Sequence, residues 1–191
     1  VLGGYLYYKY EENSIRKAQY NELKTITDLK IGQIIQWKKE RLGDAHVLTE
    51  SPLIWQNIKR CSISKDSSLE NDFLKQFTLV RNHYNYENIF LVSNEGKLLL
   101  SLDATHEQID SLTNSHCMIA IRNKKIHLSD FYFCPTHKKI HFDIFAPILD
   151  NNNIPIAVIV LRINPNDYLY PLIQSWPTTS KTGQTLIVKK E

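Results

Sequence analysis

The 191-residue chain is poor in the residues that punctuate, cross-link or anchor a fold. Six glycines and seven prolines are too few for a collagen, a low-complexity linker or a loop-dominated scaffold. The three cysteines, Cys61, Cys117 and Cys134, are odd in number and lack framework spacing, so no disulfide scaffold is expected; a Cys117–Cys134 bridge is the one pairing to test. No stretch reaches the ~18–20 apolar residues of a spanning helix. Basic and acidic residues nearly balance, 23 against 20, and no basic-aromatic stripe stands out, so nucleic acid is not an expected partner. Glycine-rich phosphate loops, nucleophile elbows, His-Glu-x-x-His helices and kinase signatures are missing, and nothing singles out a catalytic triad. The single methionine is Met118 and the chain opens Val1-Leu2-Gly3-Gly4-Tyr5, which reads as a piece of a larger protein.

What is present is an ordinary globular balance, 42% hydrophobic and 23% charged. Residues 1–10 are small, aromatic and almost uncharged until Lys9, as where a helix leaves a bilayer through a tyrosine belt, so they are expected to be the end of a transmembrane or juxtamembrane segment. A long amphipathic helix is predicted within residues 11–50. It runs from Ser14 to Arg41 on Ile15, Ala18, Leu23, Ile26, Leu29, Ile34, Ile35 and Trp37, with Gly43 placed to stop it. A short helix is predicted after Ser51-Pro52, another over Ser68–Tyr84, and a third over Thr105–Asn123 with Thr105 as N-cap.

Between and after these helices the pattern turns to strands. Asn88–Ser93 and Lys97–Leu102 flank Asn94-Glu95-Gly96 as a hairpin, and three further strands are expected over Lys125–Phe133, Ile140–Leu149 and Ile154–Asn164. A short helix over Asn166–Gln174 and a last strand near Thr185–Val188 follow, the latter within a linker at residues 175–191. The fold class is therefore α+β, a long N-terminal helix with a five-stranded antiparallel sheet flanked by helices.

Pairing Phe133 with Ile140 and Leu149 with Ile154 assigns the sheet's two faces. Ile140, Phe142, Ile144, Ala146 and Ile148 share one with Ala157, Ile159, Leu161 and Ile163, a core pattern. Asp130, Tyr132, His141, Asp143, Phe145, Val158, Val160 and Arg162 share the other, where polar groups converge on an apolar floor, the composition of a small-ligand pocket. Arg162 is suited to fork onto a carboxylate, Asp130 and Asp143 to accept from amines or hydroxyls, Tyr132 and Phe145 to form walls, and Arg122 to rim the site. The competing reading is a solvated outer face carrying an Asp143–Arg162 pair and His141. Cys134-x2-His137-x3-His141 has residue types that suit zinc, but structural zinc sites show four ligands, so no metal is expected.

In order along the chain, the helix segment Leu29–Ala45, the hairpin Phe90-Leu91-Val92-Ser93-Asn94-Glu95-Gly96-Lys97, Leu128-Ser129-Asp130, Asp143-Ile144-Phe145-Ala146-Pro147-Ile148-Leu149-Asp150 and Ile154–Pro165 resemble the Cache (PDC, PAS-like) sensor domains of membrane histidine kinases, diguanylate cyclases and chemoreceptors. The resemblance implies a sensor domain over residues 51–174, with 175–191 leading into a truncated membrane-proximal module. It further implies an extracytoplasmic place at the cell membrane, an unknown small-molecule ligand, anchoring through adjacent helices, a homodimeric receptor, no cofactor, and no enzyme activity in this segment, the full-length protein being a histidine kinase. Amino-acid-binding chemoreceptor relatives carry Tyr-x-Asp followed by Thr-Gly in the corresponding strand and turn. Here Tyr132 matches, but Cys134 stands in place of the acid and Thr136-His137 in place of Thr-Gly, so amino-acid recognition through that motif is not expected. The alternative function is an interaction module that dimerises through Leu23, Ile26, Leu29 and Ile34 and binds no small molecule.

Overall fold

A computed structural model describes residues 2–50, 54, 58, 67–103, 109–135, 137–177 and 183–186. The chain divides into two compact units, residues 1–38 with 169–191, and residues 39–168.

Helix α1 spans Leu2–Glu50, longer at both ends than its periodicity suggests. The expected stop at Gly43 does not occur. A helical glycine costs about 1 kcal/mol against alanine, and tertiary contacts on the next turn outweigh it: Ala45 and Leu48 are buried, and Asp44 accepts from the Tyr86 hydroxyl at 2.8 Å and pairs with Arg41 at 3.1 Å. No helix of the described residues is long and apolar enough to cross a membrane. In the first unit Ile26 and Trp37 are buried, and the buried Lys30 donates to the Leu172 carbonyl at 2.6 Å and to Ser175 Oγ at 2.7 Å, just beyond the short helix α4, Leu169–Gln174. The strand expected near Thr185 is not formed at residues 183–186, and the rest of it lies outside the described residues.

The second unit holds the sheet. Of the helix expected after Pro52, Ile54 and Ile58 are helical and buried, and its other positions lie outside the described residues. Helix α2, Ser67–Tyr84, buries Phe73 and Phe77. It leads into β1, Asn88–Ser93, which pairs antiparallel with β2, Leu98–Ser101. Gly96 closes this hairpin at φ +82, a conformation L side chains rarely adopt, and a Cβ there would collide with the side chain of Asn114.

Helix α3 spans Ser111–Asn123 and its N-cap is Asp110, whose side chain accepts from Thr113 N at 2.6 Å. The predicted cap, Thr105, lies outside the described residues, and Ile109 and Asp110, expected to be helical, are not. The buried face of α3 is Thr113, Cys117 and Ala120, flanked by Ile109, Met118 and Ile121, while Leu112 is exposed. The C-cap Lys124 takes the left-handed conformation at φ 52.

The sheet has six strands, not five, because the expected strand Lys125–Phe133 is broken. Strands β3, His127–Leu128, and β4, Tyr132–Cys134, lie along the same edge of β5, Lys139–Leu149. Between them three residues, 129–131, face two, 142–143, so the strand carries one extra residue. Strand β6, Pro155–Ile163, lies between β5 and β1, giving the order β2-β1-β6-β5-β3 with β4 also on β5.

Phe133 pairs with Ile140 as expected. Leu149 pairs with Pro155 rather than Ile154, across an irregularity at Ile148/Leu149, and beyond it Ile148 faces Ala157 and Asp143 faces Arg162. That register differs by two residues from the expected one, so parity is kept and the β5–β6 faces hold. Ile144, Ala146, Ile148, Ala157, Ile159, Leu161 and Ile163 are buried on one face, whereas Ile140, expected with them, is exposed and Phe142 only half-buried. On the other, Phe90, Val92, Phe145, Val158 and Val160 form a core with Cys117 and Ala120 of α3. A solvated second face is thereby excluded, since Asp143 and His141 are 0% exposed and Arg162 2%. Cys117 and Cys134 are buried free thiols, so the bridge between them is not formed; Cys61 lies outside the described residues.

Candidate functional site

The face beneath α3 gathers a buried ionic network. Asp143 and Arg162 stand directly opposite each other on β5 and β6. Arg162 donates from Nη2 to Asp143 Oδ2 at 3.0 Å and from Nε to the same oxygen at 3.2 Å. The Tyr132 hydroxyl donates to Oδ2 at 2.6 Å and accepts from Arg162 Nη2 at 3.2 Å. Nη2 also reaches Thr113 Oγ1 of α3 at 3.5 Å, and the guanidinium lies over the Phe90 ring at 5.0 Å from its centroid. Ser129 fills the gap between β3 and β4: its N–H donates to the Asp143 carbonyl and its Oγ accepts from the Asp143 N–H, both at 2.9 Å.

The carboxylate and guanidinium neutralise each other inside the protein, where neither charge is stable alone. Their field reaches the neighbours. Burial, then the Asp143 carboxylate, push the Tyr132 hydroxyl above its ordinary value. Burial also pushes the Cys117 thiol up to about 12, Asp143 adding to the shift and Arg162 opposing it.

A second cluster lies at the other end of the same face. Cys134 Sγ is 3.2 Å from His137 Nδ1. The His137 and His141 rings are 5.2 Å apart, and His141 meets the edge of Tyr132 at 5.9 Å between centroids. Glu87, just before β1, brings Oε2 to 3.2 Å from His141 Nε2 without hydrogen-bond alignment. Its other oxygen accepts from Lys139 at 2.8 Å. Burial works against ionisation of Glu87, but His141 and Lys139 outweigh it and hold the carboxyl down at about 2.

Of the residues expected to line a site, Tyr132, Asp143 and Arg162 are hydrogen-bonded together, and His141 and Phe145 lie on the same face. Asp130 and Arg122 do not join them; both are exposed. For Asp130 the cause is the extra residue between β3 and β4, which takes it out of the ladder. Phe145 serves as core and stacks on His116, whose Nδ1 is 2.8 Å from His127 Nε2. Sequence reasoning missed Thr113, Ser129 and Glu87. Thr113 follows from the cap at Asp110, a Ser/Asp-type signal present in the sequence, whereas Glu87 reaches the cluster only through the long-range pairing of β1 with β6.

Solved structures share this fold. The sensor domain of the V. cholerae histidine kinase DctB superposes with a TM-score of 0.63 at 14% identity, over 86% of this chain and 61% of that one. The sensory domain of the Campylobacter jejuni chemoreceptor Tlp3 (CcmL) gives 0.64 at 19% identity, over 82% and 66%. The ligand-binding domain of the Pseudomonas fluorescens chemoreceptor CtaA, in complex with L-isoleucine, gives 0.58 at 13% identity, over 86% and 63%. The chain thus has the fold of these sensor domains, in line with the Cache resemblance, and spans 61–66% of their lengths. No family model and no curated protein matches the sequence.

Proposed function

We propose that this chain is the small-ligand sensing module of a membrane-bound signalling receptor, extracytoplasmic and without enzyme activity of its own. A two-component histidine kinase is the output that fits best, and a chemoreceptor or diguanylate cyclase is compatible. The observation that carries the reading is the buried Asp143–Arg162–Tyr132 network on a sheet shared with ligand-binding sensor domains. Tyr132, His141, Asp143, Phe145 and Arg162 form the recognition face, with Asp130 and Arg122 outside it as groups that an opened site recruits. A carboxylate ligand competes with Asp143 for Arg162, and an amine competes with Arg162 for Asp143. Either exchange loosens the Arg162–Thr113 contact and frees α3 to move, which is a differential interaction with two states of the domain. Continuity of α1 from Leu2 to Glu50 supports transmission along that helix. The receptor's domain plan follows the sequence reading, with 1–10 juxtamembrane, 11–50 the long helix, 51–174 the sensor and 175–191 the lead into a membrane-proximal module.

A thermal-shift screen with small acids, amines and sugars tests this, followed by calorimetry of any hit on Arg162→Lys and Tyr132→Phe. Binding should weaken about tenfold or more in both, a loss of roughly 1.4 kcal/mol or above. Unchanged affinity in both variants would refute the assigned face. Homodimerisation through α1 is a second reading, favoured by Leu23 and Leu29 of the expected stripe, which are 52% and 48% exposed, whereas Ile26 is buried and Ile34 half-buried. Sedimentation of Leu23→Asp/Leu29→Asp separates it, since loss of a dimer is expected only if these residues form the seam.

A further inference from the structure

We propose that Cys134, His137 and His141 form a binding site for a thiophilic divalent cation, zinc by ligand chemistry. One ligand atom from each residue lies within 4.8 Å of the others. Zinc bonds of about 2.0–2.3 Å at tetrahedral angles place ligand atoms roughly 3.3–3.8 Å apart, so small side-chain rotations close the site. The fold sets up this approach. Cys134 ends β4, His141 lies on β5 opposite Tyr132, and the turn between the strands is closed by Lys138 in the left-handed conformation at φ 52.

A second observation points to a ligand. His141 is 0% exposed, its Nε2 lies 3.2 Å from Glu87 Oε2, and its Nδ1 has no hydrogen-bond partner among the described residues. Buried polar atoms in native proteins are nearly always satisfied, and here the unsatisfied Nδ1 of a buried imidazole stands in a cluster with a thiol and a second imidazole. With a cation bound, His141 Nδ1 is a ligand atom and its Nε2–H turns to Glu87, the carboxylate–histidine–metal arrangement that fixes a ligand's tautomer. Cys134 binds as the thiolate and gives its proton to solvent. Three protein ligands leave one coordination position for water or an exogenous donor atom.

A Cys–His nucleophile is the rival reading of the 3.2 Å Cys134–His137 contact. Cys134 is buried, so its sulfur does not face a substrate. The site shares His141 with the proposed recognition face, but the two readings fail separately, because zinc binding is measured with no organic ligand present.

The test is a cobalt(II) titration of the untagged, reduced, metal-free chain, followed by zinc displacement. One equivalent of cobalt should give a thiolate-to-metal charge-transfer band with tetrahedral d–d bands, and zinc should bleach both and raise the thermal unfolding midpoint. Cys134→Ser and His137→Ala, each checked for folding by circular dichroism, should lose the charge-transfer band and weaken zinc more than about tenfold. His83→Ala, on the exposed surface of α2, should bind as the parent does. No stoichiometric band, an octahedral cobalt spectrum, or an unchanged spectrum in Cys134→Ser would each overturn the assignment.

Discussion

Two polar clusters share one face of the β4–β5–β6 strands and differ in a single respect. Around Asp143 and Arg162 the buried carboxylate and guanidinium each find partners, in one another, Tyr132 and Thr113. Around His141 one ring nitrogen meets Glu87 at 3.2 Å, and the other, Nδ1, is buried without a hydrogen bond among the described residues. The difference sets what a ligand meets on arrival. At the first cluster it must break existing charge-assisted bonds, so binding is tied to movement of α3. At the second it supplies bonds that the fold leaves unmade, so binding requires little rearrangement. One cluster therefore reads as a switch, the other as a prepared seat.

The largest effect that can break this contrast comes from Asp143→Ala. It strands a buried guanidinium and should cost about 3–5 kcal/mol of stability in a denaturant titration. Replacing both partners by leucine should cost much less, because no unpaired charge is left. If the single and double variants are equally destabilised, the pair is not the closed unit described. Next comes Glu87→Gln, which should weaken zinc about 10–100-fold through His141 while leaving the Asp143 network in place. An unchanged zinc affinity would remove Glu87 from the site.

Gly96→Ala sharpens the comparison from the other side. It strains a positive-φ turn and pushes on Asn114 of α3, so a loss of about 1–2 kcal/mol is expected without change in zinc affinity. The smallest effect is a rate. Cys117 is fully buried on the sheet-facing side of α3 and its thiol is pushed up to about 12. Few thiolates exist at pH 8 in the folded state, and alkylation followed by peptide mapping should run at least about a hundredfold slower than in denaturant. Because burial raises this acid, its contribution to stability declines as pH rises from the free thiol value toward 12. Faster labelling of Cys117 in the presence of a screened ligand would mark the opening of α3.

How far the sequence foretold this depends on the range of the interaction. Side-chain alternation fixed the faces of β5 and β6, and a two-residue difference in register left them intact because the period is two. One extra residue between β3 and β4 was enough to misplace Asp130, since no local signal marks a bulge that serves to seat Ser129 against Asp143. Gly43 failed as a helix stop because Ala45, Leu48 and the Asp44–Tyr86 bond are tertiary gains that propensity does not contain. The zinc spacing of Cys134, His137 and His141 was visible, yet only the fold brings Glu87 from residue 87 to the ring of His141. Linear spacing could count three candidate ligands; it had no means of showing that the third is buried with its Nδ1 unpartnered among the described residues.

The most direct measurement is the anomalous difference map of a crystal grown with zinc, recorded on both sides of the zinc absorption edge. One strong peak bonded to Cys134 Sγ, His137 and His141 is expected, with Glu87 turned to the imidazole and the Asp143–Arg162 pair unchanged. A map with no peak there, or with zinc held only by surface carboxylates, would contradict the assignment.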